Sequence, residues 1–196
     1  MILILTRRDD EHADYVIAKL EQRGADYLRF ETADFPLDIG VSVGFHYRSD
    51  EILFATRTRS VDLRKVHSVW YRRPDPPRLS DTLNADENAF VKNECGRLLT
   101  GLWGLLGDRF WVNPFWETKR ADSKPYQLSV AKSVGLEVPK TLMTNDPSEA
   151  ARFFSESAED IVYKTYTPFP GTTPDGRGLG IYTRVVDRND LDRRRP

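Results

Sequence analysis

One lysine and four glycines near the end of the chain are the residues whose types and spacing best suit chemistry. Ile161-Val162-Tyr163-Lys164 reads as a short buried strand that places one ammonium. The segment Gly171-Thr-Thr-Pro-Asp-Gly176-Arg-Gly178-Leu-Gly180 follows, and Ile181-Tyr182-Thr183 reads as a second strand. A strand lysine beside a glycine-rich segment suits the phosphates of a nucleotide. Backbone N–H groups and one ammonium neutralise charge there without bulky side chains in the way. No carboxylate cluster able to hold Mg²⁺ lies downstream, so the chain offers half of such a site. Plainer readings stay open. Lys164 can be a strand residue reaching for solvent, and Gly171, Gly176, Gly178 and Gly180 can be an ordinary hairpin loop.

A second group is Trp70-Tyr71-Arg72-Arg73. On a strand, Trp70 and Arg72 share one face and Tyr71 and Arg73 the other. Either the aromatics are core and an edge arginine pairs with an acid, or Arg72 or Arg73 stands at the strand's carboxyl end. Ligands of open α/β sheets bind at that end. His12, His46 and His67 fall on different elements and are not spaced as metal ligands. Cys95 reads as a buried thiol, and Trp103, Trp111 and Trp116 as core or domain-junction packing. Arg57, Arg59, Arg64 and Lys65 read as a solvated face rather than a binding patch.

The elements that position these groups follow from periodicity. Residues 2–6 form a continuous, largely β-branched run, as in a strand covered on both faces. Asp9 or Asp10 caps a helix whose Ala13, Val16, Ile17 and Leu20 draw one apolar stripe, and Gly24 ends it. Residues 26–31 are a second strand with Leu28 and Phe30 on one face, so strand–helix–strand predicts a parallel pair. Ile39, Val41, Val43 and Phe45, then Ile52, Phe54 and Thr56, alternate around a turn near Ser49-Asp50 and predict an antiparallel hairpin.

A strand over 67–72 leads to Pro74, and a long helix covers 86–106. Phe90, Leu98, Leu99, Leu102, Leu105 and Leu106 are its expected buried face. Gly101, Gly104 and Gly107 predict close packing against a neighbour, since each interior glycine costs about 1 kcal/mol against alanine. Residues 110–114 read as the last strand of this unit. Beyond it a helix over 119–134 is interrupted by Pro125, which either kinks it or starts it. Residues 140–144 read as a strand, and Asp146 caps a short helix beginning at Pro147.

Hydrophobic residues make up 39% of the 196 and charged residues 30%, which fits a folded soluble chain. A net charge of −1 argues against nucleic acid or a membrane surface as the partner. One cysteine excludes an intrachain disulfide and predicts a reducing, cytoplasmic setting. The apolar run at the N-terminus is too short for a signal peptide or a membrane span.

Three segments together resemble the microviridin-type, or graspetide, ATP-grasp peptide maturases. They are Ile-Leu-Ile-Leu-Thr at the start, Val69-Trp70-Tyr71-Arg72-Arg73-Pro74 in the middle, and Gly135-Leu-Glu-Val-Pro-Lys-Thr-Leu-Met-Thr-Asn-Asp-Pro147. The resemblance runs over essentially the whole chain. It implies an α/β fold: a pre-ATP-grasp domain over residues 1–115, then the first part of an ATP-grasp α+β domain over 116–196. The pre-ATP-grasp domain is a mostly parallel sheet with helices on both faces and an antiparallel hairpin. It implies ATP and Mg²⁺ as cofactors, a precursor peptide as partner, and a homodimer. In that family an Asp or Glu of the peptide is activated as an acyl phosphate and attacked by a Ser, Thr or Lys, giving an ester or amide cross-link. By resemblance Lys164 contacts the nucleotide, Gly171, Gly176, Gly178 and Gly180 cover its phosphates, and Arg72 belongs to the same site.

The family continues into a half that carries the metal ligands and much of the peptide-binding surface. The expectation is therefore a truncated gene product, a partial sequence or an excised domain that does not turn over alone. The charged residues 187–196 do not substitute for that half. Two other readings remain beside the ligase: a non-catalytic docking or dimerisation module or decayed relic, and a receiver domain. The receiver reading is weak, because Thr6-Arg7-Arg8 stands where its acidic cluster belongs.

Overall fold

The computed structural model describes residues 1–46, 51–56, 60–158, 160–166, 171–172, 178–180 and 182–192. The expected turn at Ser49-Asp50, together with Arg57, Arg59, Gly176 and Ile181, lies outside them. The chain divides into two compact units, Met1–Asp122 and Ser123–Pro196.

The first unit opens with β1 (Ile2–Thr6), α1 (Glu11–Gln22) and β2 (Tyr27–Glu31). An antiparallel sheet follows, β3 (Ile39–Gly44), β4 (Glu51–Thr56) and β5 (Ser60–Asp62) in that order. Then come β6 (Ser68–Tyr71), α2 (Ala85–Leu105), β7 (Phe110–Val112) and α3 (Phe115–Ala121). The main sheet is parallel throughout, with order β2-β1-β6-β7. Leu3 and Leu5 join the core on one face of β1, and Ile4, on the other, is also fully buried. The strand is therefore covered on both sides, as its unbroken apolar run requires.

The core gathers Phe30, Phe54, Leu63, Val69, Cys95, Leu99, Leu102, Trp103 and Leu106. Asp10 caps α1, its side chain accepting from the Ala13 amide, and Gly24 takes φ +64°, a conformation L residues avoid. Asn84 and Glu87 close a reciprocal capping box on α2. β5 was not anticipated, and Phe45 falls outside β3 and is exposed.

α2 departs from expectation in two ways. Phe90, Leu98 and Leu105, expected on the buried face, are exposed, whereas Cys95 and Trp103 are buried as expected. The stripe is turned because the bulk of Trp103 faces the core. Among the described residues nothing lies within 4 Å of a Cβ built on Gly96, Gly101 or Gly104, so no described neighbour packs against these glycines. Gly96→Ala should therefore raise the unfolding free energy by about 1 kcal/mol, from helix propensity alone. Urea unfolding followed by tryptophan fluorescence measures it, and a loss of stability would show hidden crowding at this position.

The second unit holds α4 (Lys124–Ser133), α5 (Pro147–Glu156), β8 (Val162–Tyr163), β9 (Gly171–Thr172), β10 (Gly178–Leu179), β11 (Arg184–Val185) and α6 (Arg188–Asp192). The helix expected over 119–134 is two helices, and Pro125 sits in the first turn of α4, where its missing N–H costs nothing. Asp146 caps α5 through the Ser148 amide. Residues 140–144 form no strand; Lys140 instead pairs with Glu156 at 3.4 Å. β8 is exposed rather than buried, and it pairs antiparallel with β11; Tyr182 and Thr183, expected in a strand, lie outside one. Asp187 accepts from the Asn189 and Asp190 amides and starts α6 within the charged tail.

Candidate functional site

In the first unit, charged groups collect at the carboxyl ends of the parallel strands. β1 runs on to β2 on one side, and β6 lies on its other side. Connections diverge there, and ligands of open α/β sheets bind outside such a point. Thr6 ends β1 and Asp10 follows it, and Arg72 follows directly on β6, its amide continuing the ladder to the Leu5 carbonyl at 2.9 Å.

Asp10 is the hub of this group. Only 3% of it is exposed. The Thr6 hydroxyl donates to its Oδ2 at 2.7 Å and the Ala13 amide to Oδ1 at 3.3 Å. The Arg72 Nε lies 3.7 Å from Oδ2, and the Arg72 Nη2 is 3.5 Å from His12 Nδ1. Burial pushes the Asp10 carboxyl up. The Thr6 and Ala13 hydrogen bonds, the Arg72 charge and the His12 amide outweigh burial, so the group lies below the usual carboxylate range.

A second network stands beside it. Arg8 bonds Glu31 at 2.8 Å and Asp34 at 2.7 Å, while Arg29 reaches Asp14 and the Arg7 and Arg8 carbonyls. Arg73 is exposed and, among the described residues, has no partner. Arg72 thus stands at the strand's carboxyl end and is also paired to an acid. Neither Asp10 as a buried hub nor the Arg8 and Arg29 pairs was expected from sequence. The available signal was a threonine ending an apolar strand four residues before a capping aspartate.

The phosphate candidates lie in the second unit. Lys164 directly follows β8, is exposed, and has no hydrogen bond or ion pair among the described residues. β9 and β10 pair antiparallel, with Gly171 opposite Leu179 and Gly178 opposite Thr172. A Cβ on Gly180 would stand 2.9 Å from the Tyr182 ring, so glycine there also serves local packing.

An unpaired ammonium and a glycine-bounded ribbon suit an anion such as a triphosphate. Mg²⁺ is different: no three His, Cys, Asp or Glu side chains converge among the described residues. No described residue is assigned to that metal. No helix among the described residues is long and apolar enough to cross a membrane.

Solved structures share this architecture. The macrocyclase MdnC from Microcystis aeruginosa MRC, crystallised with precursor peptide MdnA, matches at TM-score 0.86 and 29% identity, over 97% of this chain and 63% of its own. A RiPP-associated ATP-grasp ligase from Chryseobacterium gregarium, in complex with ADP and a leader and core peptide, matches at TM-score 0.81 and 28% identity, over 97% and 57%. The macrocyclase MdnB from Microcystis aeruginosa MRC matches at TM-score 0.78 and 28% identity, over 97% and 64%. The chain therefore spans between 57% and 64% of the length of these proteins. No curated protein matches it. The family model of the MvdD pre-ATP grasp domain covers residues 1–119, from β1 through most of α3, and the chain belongs to that family.

Proposed function

We propose that this chain supplies the pre-ATP-grasp domain and the first part of the ATP-grasp domain of a peptide ligase. The ligase uses ATP to join side chains of a ribosomally made precursor peptide through ester or amide bonds. It acts as a homodimer in the cytoplasm, as a microviridin-type maturase. The observation that carries this reading is the likeness, over 97% of the chain, to two macrocyclases and to a ligase whose structure holds ADP and peptide. When bound, ATP supplies the phosphoryl group that turns a carboxylate into an acyl donor; Mg²⁺ enters by resemblance alone.

The chain's own residues do the binding. Lys164 offers a free ammonium at the end of β8, and such a charge can neutralise a phosphate oxygen. The backbones of Gly171, Gly178 and Gly180 can approach a phosphate closely, with Gly176 in the same segment. Arg72 holds Asp10 and orients the carboxyl ends of β1 and β6.

Isothermal titration with ATP tests the nucleotide part. The chain should bind in the micromolar range. Lys164→Ala should weaken binding about tenfold, the loss of one charge-assisted hydrogen bond. Equal affinity in the variant overturns the role of Lys164. The absence of any heat overturns nucleotide binding by this chain and leaves a docking module.

A further inference from the structure

We propose that residues 72–78 form a strap drawn across the carboxyl end of β1 and pinned on its far side by Thr32 and Arg78, which closes the ligand crevice of the parallel sheet until it lifts. This goes beyond the peptide-ligase reading and does not depend on it.

The register puts the strap in place. Arg72 extends β6, and its amide bonds the Leu5 carbonyl at 2.9 Å. It therefore stands level with Thr6, which stands opposite Glu31 on β2. β1 lies between the root of the segment and the 3₁₀ turn Thr32–Asp34 that follows β2. Yet the Thr32 hydroxyl donates to the Asp75 carbonyl. Neighbouring strands lie about 4.8 Å apart, so the segment crosses about 10 Å to reach it. Asp75 is three residues beyond Arg72, and three extended residues reach about 10–11 Å. The run from Arg72 to Asp75 is thus nearly straight. Pro74 fixes its own φ and holds Arg73 in extended backbone. Farther along, the Arg78 amide donates to the Ala33 carbonyl at 3.2 Å, and the Arg78 guanidinium reaches Asp38 at 2.7 Å.

Burial follows from this crossing. Thr6 is fully buried and Asp10 is 3% exposed, although both stand at the end of the sheet where open α/β folds admit ligands. The two anchors differ in kind. Thr32 is 3% exposed and its bond is neutral, so water does not compete for it. The Arg78 and Asp38 side chains are 56% and 38% exposed, so solvent and salt screen that pair. Between root and anchors, Pro74, Pro76 and Pro77 donate no backbone hydrogen bond. Few bonds hold the strap, and it lifts without breaking the sheet. Shut, it seals Asp10 and the guanidinium of Arg72; lifted, it turns both toward the crevice.

Labelling of carboxylates with a carbodiimide and glycinamide, read residue by residue by mass spectrometry on the full chain, tests the strap. Circular dichroism confirms that each variant folds. Asp10 should label slowly beside the exposed Asp86. Thr32→Val removes the inner donor and should raise the Asp10 rate about tenfold, the loss of one buried hydrogen bond. Thr32→Ser keeps the donor and should stay within about threefold of the unaltered chain, and Asp86 should label alike in all of them. Urea below the unfolding transition should leave the Asp10 rate flat, because a local opening exposes little surface. Arg78→Gln breaks the outer anchor and should raise the rate about threefold, as for an exposed pair. It carries the test if Thr32→Val does not fold.

An Asp10 that labels as fast as Asp86 in the unaltered chain overturns the proposal, because nothing then covers the crevice. So does an Asp10 rate that climbs with urea as global unfolding does, since the crevice would open only with the whole unit. A rate indifferent to both Thr32→Val and Arg78→Gln removes the anchors and the strap with them.

Discussion

Phe30→Ala will lower the unfolding free energy by about 3–5 kcal/mol, the cost of emptying an aromatic site in a closed core. Phe30 is 1% exposed and sits where three elements meet. Its ring lies 4.4 Å from that of Phe54 on β4 and 6.1 Å from that of Trp103 on α2. It is carried by β2, so one side chain links the parallel sheet, the antiparallel sheet and the long helix. Edge and tilted ring contacts add to the burial. Phe30→Leu keeps most of the volume and should cost less than half as much. All four tryptophans lie in the first unit, so their fluorescence in urea follows that unit without interference from the second. If Phe30→Ala left the midpoint where it was, the three elements would not share one core.

How the core was legible follows from this contact. An unbroken apolar run announced β1, and periodicity announced α1, β2 and the β3–β4 pair, because each of these three buries one face locally. Phe30 and Leu28 were placed on one side of a strand from spacing alone. α2 was legible as a helix but not in its rotation. Leucines recur on several of its sides, and only the location of Trp103 against Phe30 decides which side turns inward. β5 escaped because three residues, Ser60-Val61-Asp62, are too few to carry periodicity; it exists through its register with β4. Its composition predicts a buried β8, but Val162 and Tyr163 are exposed on a two-residue strand. Composition reports what a segment can bury, and the neighbouring chain decides whether it does. The hub at Asp10 escaped for the same reason. Capping was foreseen from a local signal, whereas the approach of Arg72 depends on β6 lying beside β1.

Asp10→Ala will destabilise the first unit by about 2–4 kcal/mol. The sum combines a lost helix cap with a Thr6 hydroxyl left buried and without its acceptor. Thr6 is fully buried, so no water replaces the missing oxygen. Asp10→Asn separates the two contributions. Asparagine caps as well as aspartate does and still presents an oxygen, but it has no charge to meet Arg72.

The pH dependence carries the sign. The folded-state Asp10 carboxyl lies below its ordinary value, because the bonds from Thr6 and Ala13 and the Arg72 charge together outweigh burial. Its stabilisation is therefore complete above the unfolded carboxylate value, about 4. It is lost as pH falls through the lower folded value. The unaltered chain should lose stability across that acid window faster than Asp10→Asn does, and the two curves should converge at its lower end. Parallel curves would mean that the native state does not favour the charge on Asp10. The same pair of variants reports on Arg72. With Asp10 neutral, the guanidinium at the carboxyl end of β6 loses the charge that holds it. Its 22% exposure should rise, with easier hydrogen exchange at the Arg72 amide that bonds Leu5. Unchanged exchange there would place the restraint on Arg72 in the β1–β6 ladder rather than in the carboxylate, and the charge would then serve the helix cap alone.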